Sequence, residues 1–361
     1  MNIISMIMAM FSLFGAFDLL IGNRLGAGKE FERGIRLLGT MALSMIGMIV
    51  IAPLIAHLLQ PLLSGIPDEF PFDPSSIAGI LLANDMGGAP LAMKLAKTEA
   101  AGYFNGLVVS SMMGATISFS LPFAFNEVGK EQHDDLLLGL MCGIIVIPLG
   151  CFISGLMIGM QITELLVDLT PLLVFCILLA VGLLKFPKIS IRIFNVIAVV
   201  IRCVILLGLA VGIFKYLTGI QLIPHTASIE EGVSVVFNAS AVMSGAFPLM
   251  WLVSKLLSRP LKALGRKIGI NETSALGFVS TLATNVTTFS LMKHMDSKGT
   301  VLNAAFAVSA AFTFAGHLAF TLSVNADYVP CVIVGKLISG AAALFVAQFM
   351  YRRMEKRKSE V

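Results

Sequence analysis

Leu82-Ala83-Asn84-Asp85-Met86-Gly87-Gly88-Ala89-Pro90 is the stretch on which the fold turns. It sets an amide, a carboxylate, two glycines and a proline inside an apolar run over 75–96. A run of about 20 apolar residues makes a helix long enough to cross roughly 30 Å of hydrocarbon. Glycine loosens such a helix and proline removes an N–H donor. Broken backbone survives in a membrane only where protein or a watery cavity satisfies its polar groups. The stretch therefore predicts a broken or re-entrant helix inside a bundle, with Asp85 at the break.

The apolar background continues on both sides. Of 361 residues 57% are apolar and 13% charged, against about 25% charged in a soluble domain. The mean hydropathy is +0.92. Apolar segments recur at 3–21, 37–63, 75–96, 101–125, 136–160, 169–184, 193–215, 232–257, 273–292, 300–322 and 329–350, with short connections. The fold class is all-α: a polytopic integral membrane helix bundle with about 9–11 membrane segments. One transmembrane transport domain covers 1–361 and ends in a basic tail, 351–361. The first segment lacks a basic flank before it and is followed by Asn23-Arg24, so it reads as a retained span rather than a signal peptide.

Most of the 25 Lys and Arg fall in four clusters, at 24–36, 185–192, 255–267 and 352–358. Short basic loops stay cytoplasmic, so all four belong on one side and the C-terminus is expected in the cytoplasm. Acidic connections, Asp68/Glu69/Asp73 and Glu230/Glu231, alternate with them. Counting every segment as a crossing violates the rule. Letting 75–96 and 273–292 enter and leave on one side restores it, giving nine full spans and two broken elements, although an unwound spanning helix at either place is the alternative.

These two elements hold matching places in two halves, approximately 1–184 and 185–350. At an offset of 198, Glu32 meets Glu230, Gly34 meets Gly232, Gly47 meets Gly245, Ser76 meets Ser274, Gly79 meets Gly277, Asn105 meets Asn303 and Ser111 meets Ser309. The connection after the second span is acidic, whereas its counterpart at 255–267 is basic, as expected of an inverted-topology repeat.

In such carriers the broken helices meet near the midplane and form the substrate site. A carboxylate there costs about 2.5–3.5 kcal/mol on insertion scales, so Asp85, with Asn84 beside it, reads as the partner of a cation or proton, or else as a cap on the following half-helix. The second break, Leu282-Ala283-Thr284-Asn285-Val286-Thr287-Thr288, carries no charge. Thr284 and Asn285 read as acceptors for a ligand hydroxyl or ammonium, or as helix-to-helix hydrogen bonders. Asn105 and Asn303 lie on the segments that follow the breaks. His317, 14 residues beyond Asn303, falls on the same face of a continuous helix. It reads as a ligand acceptor that becomes a pH gate when protonated, or as a packing residue. Phe119, Phe123, Phe312 and Phe314 read first as packing and second as cation–π faces. Asp18 and His57 read as interfacial, and Arg202 as a partner for Asp85 or Asp168.

The five cysteines lack metal-ligand spacing and read as packing residues; no metal and no cofactor is expected. Gly155/Gly159 and Gly208/Gly212 read as close helix contacts, and such faces permit a homodimer without requiring one. P-loop, H-E-x-x-H and G-x-S-x-G patterns are missing, so an enzyme is not expected. Nothing in the reading calls for a nucleic-acid partner.

Several stretches look familiar together: Leu82-Ala83-Asn84-Asp85-Met86-Gly87-Gly88, Ser110-Ser111-Met112-Met113-Gly114-Ala115-Thr116, Thr281-Leu282-Ala283-Thr284-Asn285, Met292-Lys293-His294-Met295-Asp296-Ser297-Lys298-Gly299, Asn303 to Phe312, and Val334-Gly335-Lys336-Leu337-Ile338. On these the chain resembles the EutH family, the ethanolamine permeases of bacterial ethanolamine-utilisation systems, over nearly its whole length. The resemblance implies import of protonated ethanolamine across the cytoplasmic membrane, mattering most in acidic surroundings. Family members can carry an acidic residue just before the histidine, where this chain has Gly316. Two other readings stand beside it: a sodium- or proton-coupled carrier of a small organic anion, and a structural or sensory membrane subunit without flux.

Overall fold

The computed structural model describes residues 3–64 and 72–359. Asp68 and Glu69 of the acidic connection lie outside the described residues. Eight continuous helices are long and apolar enough to cross a membrane. They are α1 (Ile3–Leu20), α2 (Ala27–Leu59), α5 (Glu99–Glu127), α6 (Lys130–Met157), α7 (Ile162–Lys185), α8 (Pro187–Thr218), α9 (Ile229–Ile268) and α14 (Val329–Ser359). Between them run three broken segments: α3 (Ser75–Leu81) with α4 (Gly88–Leu95), α10 (Glu272–Ala283) with α11 (Asn285–Leu291), and α12 (Ser297–Ala310) with α13 (Gly316–Val324). The chain is a multi-pass membrane protein, and no strand occurs among the described residues.

Helix α8 shows how the sequence allots its faces. Ile201, Ile205, Gly208 and Gly212 are buried, at the three- and four-residue spacing of one helical stripe. Val196, Val199, Val200, Leu206 and Leu207 are exposed and suited to lipid. A Cβ at Gly208 would collide with the Gly47 carbonyl, and one at Gly47 with the Ile205 carbonyl, so the two helices meet backbone to backbone. The Gly208/Gly212 face is thereby used within the chain. Gly155 packs on Leu165, while Gly159 has no neighbour for a Cβ. Arg202 faces outward with the exposed residues of this helix and pairs with neither Asp85 nor Asp168.

Two further residues read as interfacial separate here. Asp18 is buried and accepts hydrogen bonds from the backbone N–H groups of Leu25, Gly26 and Gly28. It caps the start of α2, whose first N–H groups have no partner within the helix. His57 is exposed and stacks on His225 with ring centroids 4.0 Å apart.

The first two broken segments are hairpins. The Asp73 carboxylate accepts from the Lys97 N–H at 2.8 Å, so the ends of the 73–97 stretch touch. Asn271 closes the other: its side-chain amide donates to the His294 carbonyl and its N–H to Asp296, both at 2.9 Å. Their open ends lie at opposite ends of α9. Pro74 and Leu95 border residues 225–227 and Glu231, beside its start. At its other end Lys262 and Arg266 form ion pairs with Glu272. Hydrogen bonding and charge from Lys262, then from Arg266, hold the Glu272 carboxyl below its usual range.

The third break and an unusual helix were not expected. Segment 300–322 reads as one span, yet the helix stops at Ala310 and resumes at Gly316, with Phe312 at φ 60. Residues freed there pair with those freed at the hairpin: Phe312 N–H donates to the Thr281 carbonyl and Phe314 N–H to that of Leu282. The two breaks thus satisfy one another's backbone, as a membrane interior demands. In α5 the corresponding length is unbroken but widely wound, as π-helix over Phe104–Gly114 and Thr116–Ser120. The first hairpin leans on it, with Ser110 Oγ donating to the Leu82 carbonyl and the Ala83 N–H donating to Ser118 Oγ.

Candidate functional site

The two hairpin tips meet at one cavity of about 420 Å³. Ala83, Asp85 and Met86 line it from the first tip, and Ala283, Thr284, Val286 and Thr287 from the second. Phe312, Gly316 and His317 come from the third break, and Ala115 and Phe119 from α5. Helix α2 supplies Arg33, Leu37, Thr40, Met41 and Ser44, opposite Met243 and Phe247 of α9. The cavity therefore runs along α2 from Ser44 toward Arg33, in the basic cluster at 24–36. There the Arg33 guanidinium sits 4.8 Å from the centre of the Phe247 ring and pairs with Glu30 at 3.3 Å.

Asp85 is held by local geometry. Ala83 is extended, Asn84–Met86 form one tight turn, and Gly87 takes φ 101, which a side chain would resist. The start of α4 is closed by the Gly88 N–H on the Ala83 carbonyl, and no side chain caps it. Asp85 is thus not a capping residue. Its carboxylate lies 3.9 Å from where a Cβ on Gly316 would stand, and no ion pair among the described residues includes it. A half-buried carboxylate that forms no ion pair suits an incoming cation.

Around it are neutral groups. Thr284 caps α11, its hydroxyl oxygen accepting from the Val286 N–H at 3.3 Å; its own O–H proton stays free to donate. The Phe119 and Phe312 rings lie 5.9 Å apart and the Phe312 and His317 rings 5.0 Å apart. Phe123 stacks behind Phe119 and packs against Phe289.

The remaining residues read from the sequence lie elsewhere. Asn84 is buried and accepts from the Asp85 N–H, leaving its Nδ2 without a protein partner. Asn285 is buried, donates to Ser120 Oγ at 2.7 Å, and leaves its Oδ1 without one. Neither lines the cavity, although the residues on either side of each in the chain do. Asn105 and Asn303 are further away. Asn105 donates to Ser75 Oγ, and Asn303 to the carbonyls of Ser274 and Gly299, so both clamp a hairpin to its neighbour. The face shared by Asn303 and His317 does not exist, because the helix between them is broken. We expect Asn303→Ala to lower thermal stability by about 1–3 kcal/mol while leaving the KM for the transported solute unchanged, measured by unfolding of the detergent-solubilised protein and by uptake.

One residue escaped the sequence reading. Lys336, in the first third of α14, is fully buried; its ammonium donates to the Ser111 carbonyl at 2.6 Å and lies 3.1 Å from His317 Nδ1. An ionisable residue inside an apolar span is itself a functional signal, and Lys336 carried that signal within 329–350.

The family described as ethanolamine utilisation protein, EutH, matches residues 1–350. The chain belongs to the EutH family. It is 41% identical over 356 residues to the probable ethanolamine permease EutH of Listeria monocytogenes serotype 1/2a (strain 10403S), covering 99% of this chain and 95% of that protein. With the protein of the same name from Escherichia coli (strain K12) it shares 37% over 350 residues, covering 90% and 86%. The uncharacterized protein YxeR of Bacillus subtilis (strain 168) is 35% identical over 344 residues, covering 95% and 93%. No solved structure matches the chain. The names of its relatives set the EutH family among membrane permeases rather than enzymes.

Proposed function

We propose that this protein imports ethanolamine, as its ammonium ion, across the bacterial cytoplasmic membrane, with its C-terminus in the cytoplasm. The observation that carries this reading is the Asp85 carboxylate, free of internal ion pairs, in a cavity whose one lining guanidinium, Arg33, is paired with Glu30 and whose other walls are hydroxyl, imidazole, aromatic and apolar groups. Ethanolammonium offers one charged donor and one hydroxyl two carbons away. Asp85 takes the ammonium, Phe119 and Phe312 shield it, and Thr284, Thr287 or His317 takes the hydroxyl. The cavity has room for this ligand and several waters, each occupying roughly 30 Å³. Asn84 and Asn285 act behind the wall, orienting the two tips. Acidic surroundings raise the need for such a route, since little neutral amine remains to cross lipid unaided.

The same reading includes alternating access between two halves related by inverted topology. It is supported by the hairpins opening at opposite ends of α9 and by matched local chemistry 198 residues apart. Thr98 and Asp296 each cap the following helix. Gly79 packs on Asn105 as Gly277 does on Asn303.

Uptake of labelled ethanolamine into proteoliposomes at pH 5.5 and 7.5, with and without imposed proton and sodium gradients, tests the proposal. Saturable uptake inhibited by short amines and not by carboxylates is expected. Inhibition by carboxylates alone points to an anion carrier, and an absence of uptake by folded protein defeats the permease reading.

A further inference from the structure

Lys336 does not border the cavity, whereas His317, which it touches, does. An ammonium group has donors only, so a hydrogen bond from it to Nδ1 needs a lone pair there. A neutral imidazole carries one proton, and with Nδ1 accepting, that proton sits on Nε2. The Nδ1 edge of the ring faces Lys336, whose ammonium also holds the Ser111 carbonyl, and neither Lys336 nor Ser111 lines the cavity. The opposite edge, with the Nε2–H, is what remains to meet a ligand beside Gly316 and the Asp85 carboxylate. Three neighbours fix this arrangement: α14 through Lys336, the wide turns of α5 through Ser111, and the Phe312 ring, tilted against the imidazole.

We propose that Lys336 is a specificity-determining positioning residue, locking His317 in the Nε2–H form so that the cavity presents a fixed donor beside the fixed acceptor Asp85. The ligand class selected is a short primary ammonium bearing an acceptor oxygen two carbons away. A hydroxyl or an ether oxygen satisfies the donor. An alkylammonium of the same length leaves it without a partner in a confined site, which is costly. The inference deepens the proposed ammonium site and rests on it.

The test compares binding or counterflow inhibition by ethanolammonium, 2-methoxyethylammonium and n-propylammonium in wild type, Lys336→Met and Lys336→Gln. Wild type is expected to favour the two oxygen-bearing ions over n-propylammonium by about 10-fold or more. In the lysine variants that ratio falls toward one while the ammonium group itself is still recognised. Nitrogen-15 NMR of histidine-labelled wild type, with the signal assigned by a His317→Gln sample, is expected to show Nδ1 without a proton and Nε2 with one. An unchanged selectivity ratio in a folded lysine variant, or a proton on Nδ1 in wild type, overturns the proposal. If none of the three ions binds to wild type, the ammonium-site reading itself fails, and the NMR assignment still reports on Lys336 and His317 separately.

Discussion

Replacing Asp85 with Asn is expected to abolish saturable ethanolamine uptake at every pH, although the protein still folds. The substitution keeps the shape of the first hairpin tip and removes only the charge. The carboxylate has no ion pair to lose within the protein, so stability should not fall and can rise slightly once a confined charge is gone. The ligand, by contrast, loses its only counter-ion in a site shielded from water. Losing one partner of a buried, hydrogen-bonded charge pair costs about 2–5 kcal/mol, which is roughly 30-fold or more in affinity. The measurement is proteoliposome uptake beside a thermal unfolding scan. Uptake kinetics matching wild type, in Asp85→Asn protein of normal stability, would remove Asp85 from the site.

The second large effect is expected at Gly114, where the concern is assembly rather than binding. A Cβ there would collide with the Leu82 carbonyl oxygen, which already accepts from Ser110 Oγ. The clash is backbone against side chain root, with no flexible end to swing aside. Gly114→Val should therefore keep the first hairpin from seating and cost about 3 kcal/mol or more. The expected readout is loss of the monodisperse peak in detergent, or a sharply lowered melting temperature. Gly39, in α2, has nothing within 4 Å of the place a Cβ would take, so Gly39→Ala serves as the control. It should be neutral or stabilising by up to about 1 kcal/mol. Equal behaviour of the two variants would mean that the hairpin does not depend on this contact.

What could be read from the sequence, and what could not, divides along physical lines. Asp85 and Thr284 were legible because polar residues in an apolar run are expensive and glycine and proline mark where a helix gives way. The hairpins at 75–96 and 273–292 were one of two readings of the basic clusters, which the preference of short basic loops for the cytoplasm puts on one side; an unwound spanning helix was the other. His317 was legible as a residue, but its relation to Asn303 was not. The intervening Ala311-Phe312-Thr313-Phe314-Ala315 contains neither glycine nor proline, and its break is sustained by hydrogen bonds from Phe312 and Phe314 to another element. The wide turns of α5 are hidden for the same reason, since they answer to what packs against them. Asn105 and Asn303 look like Asn84 and Asn285 in the sequence. Only their partners, a serine hydroxyl and two carbonyls, assign them to clamping. Lys336 was set apart by position alone, because an orientation argument built on clusters of charge passes over a single one.

The buried lysine also has an electrical consequence. Among the described residues Arg33 is paired with Glu30, and Asp85 and Lys336 are of opposite sign without an ion pair between them. On the proposed reading, the charge that crosses with ethanolammonium is the ligand's own. A membrane potential acts on one elementary charge with about 2.3 kcal/mol per 100 mV. With the interior negative, that voltage alone holds a roughly 50-fold higher concentration of such an ion inside, so on the proposed reading accumulation needs no coupling ion and each turnover carries current.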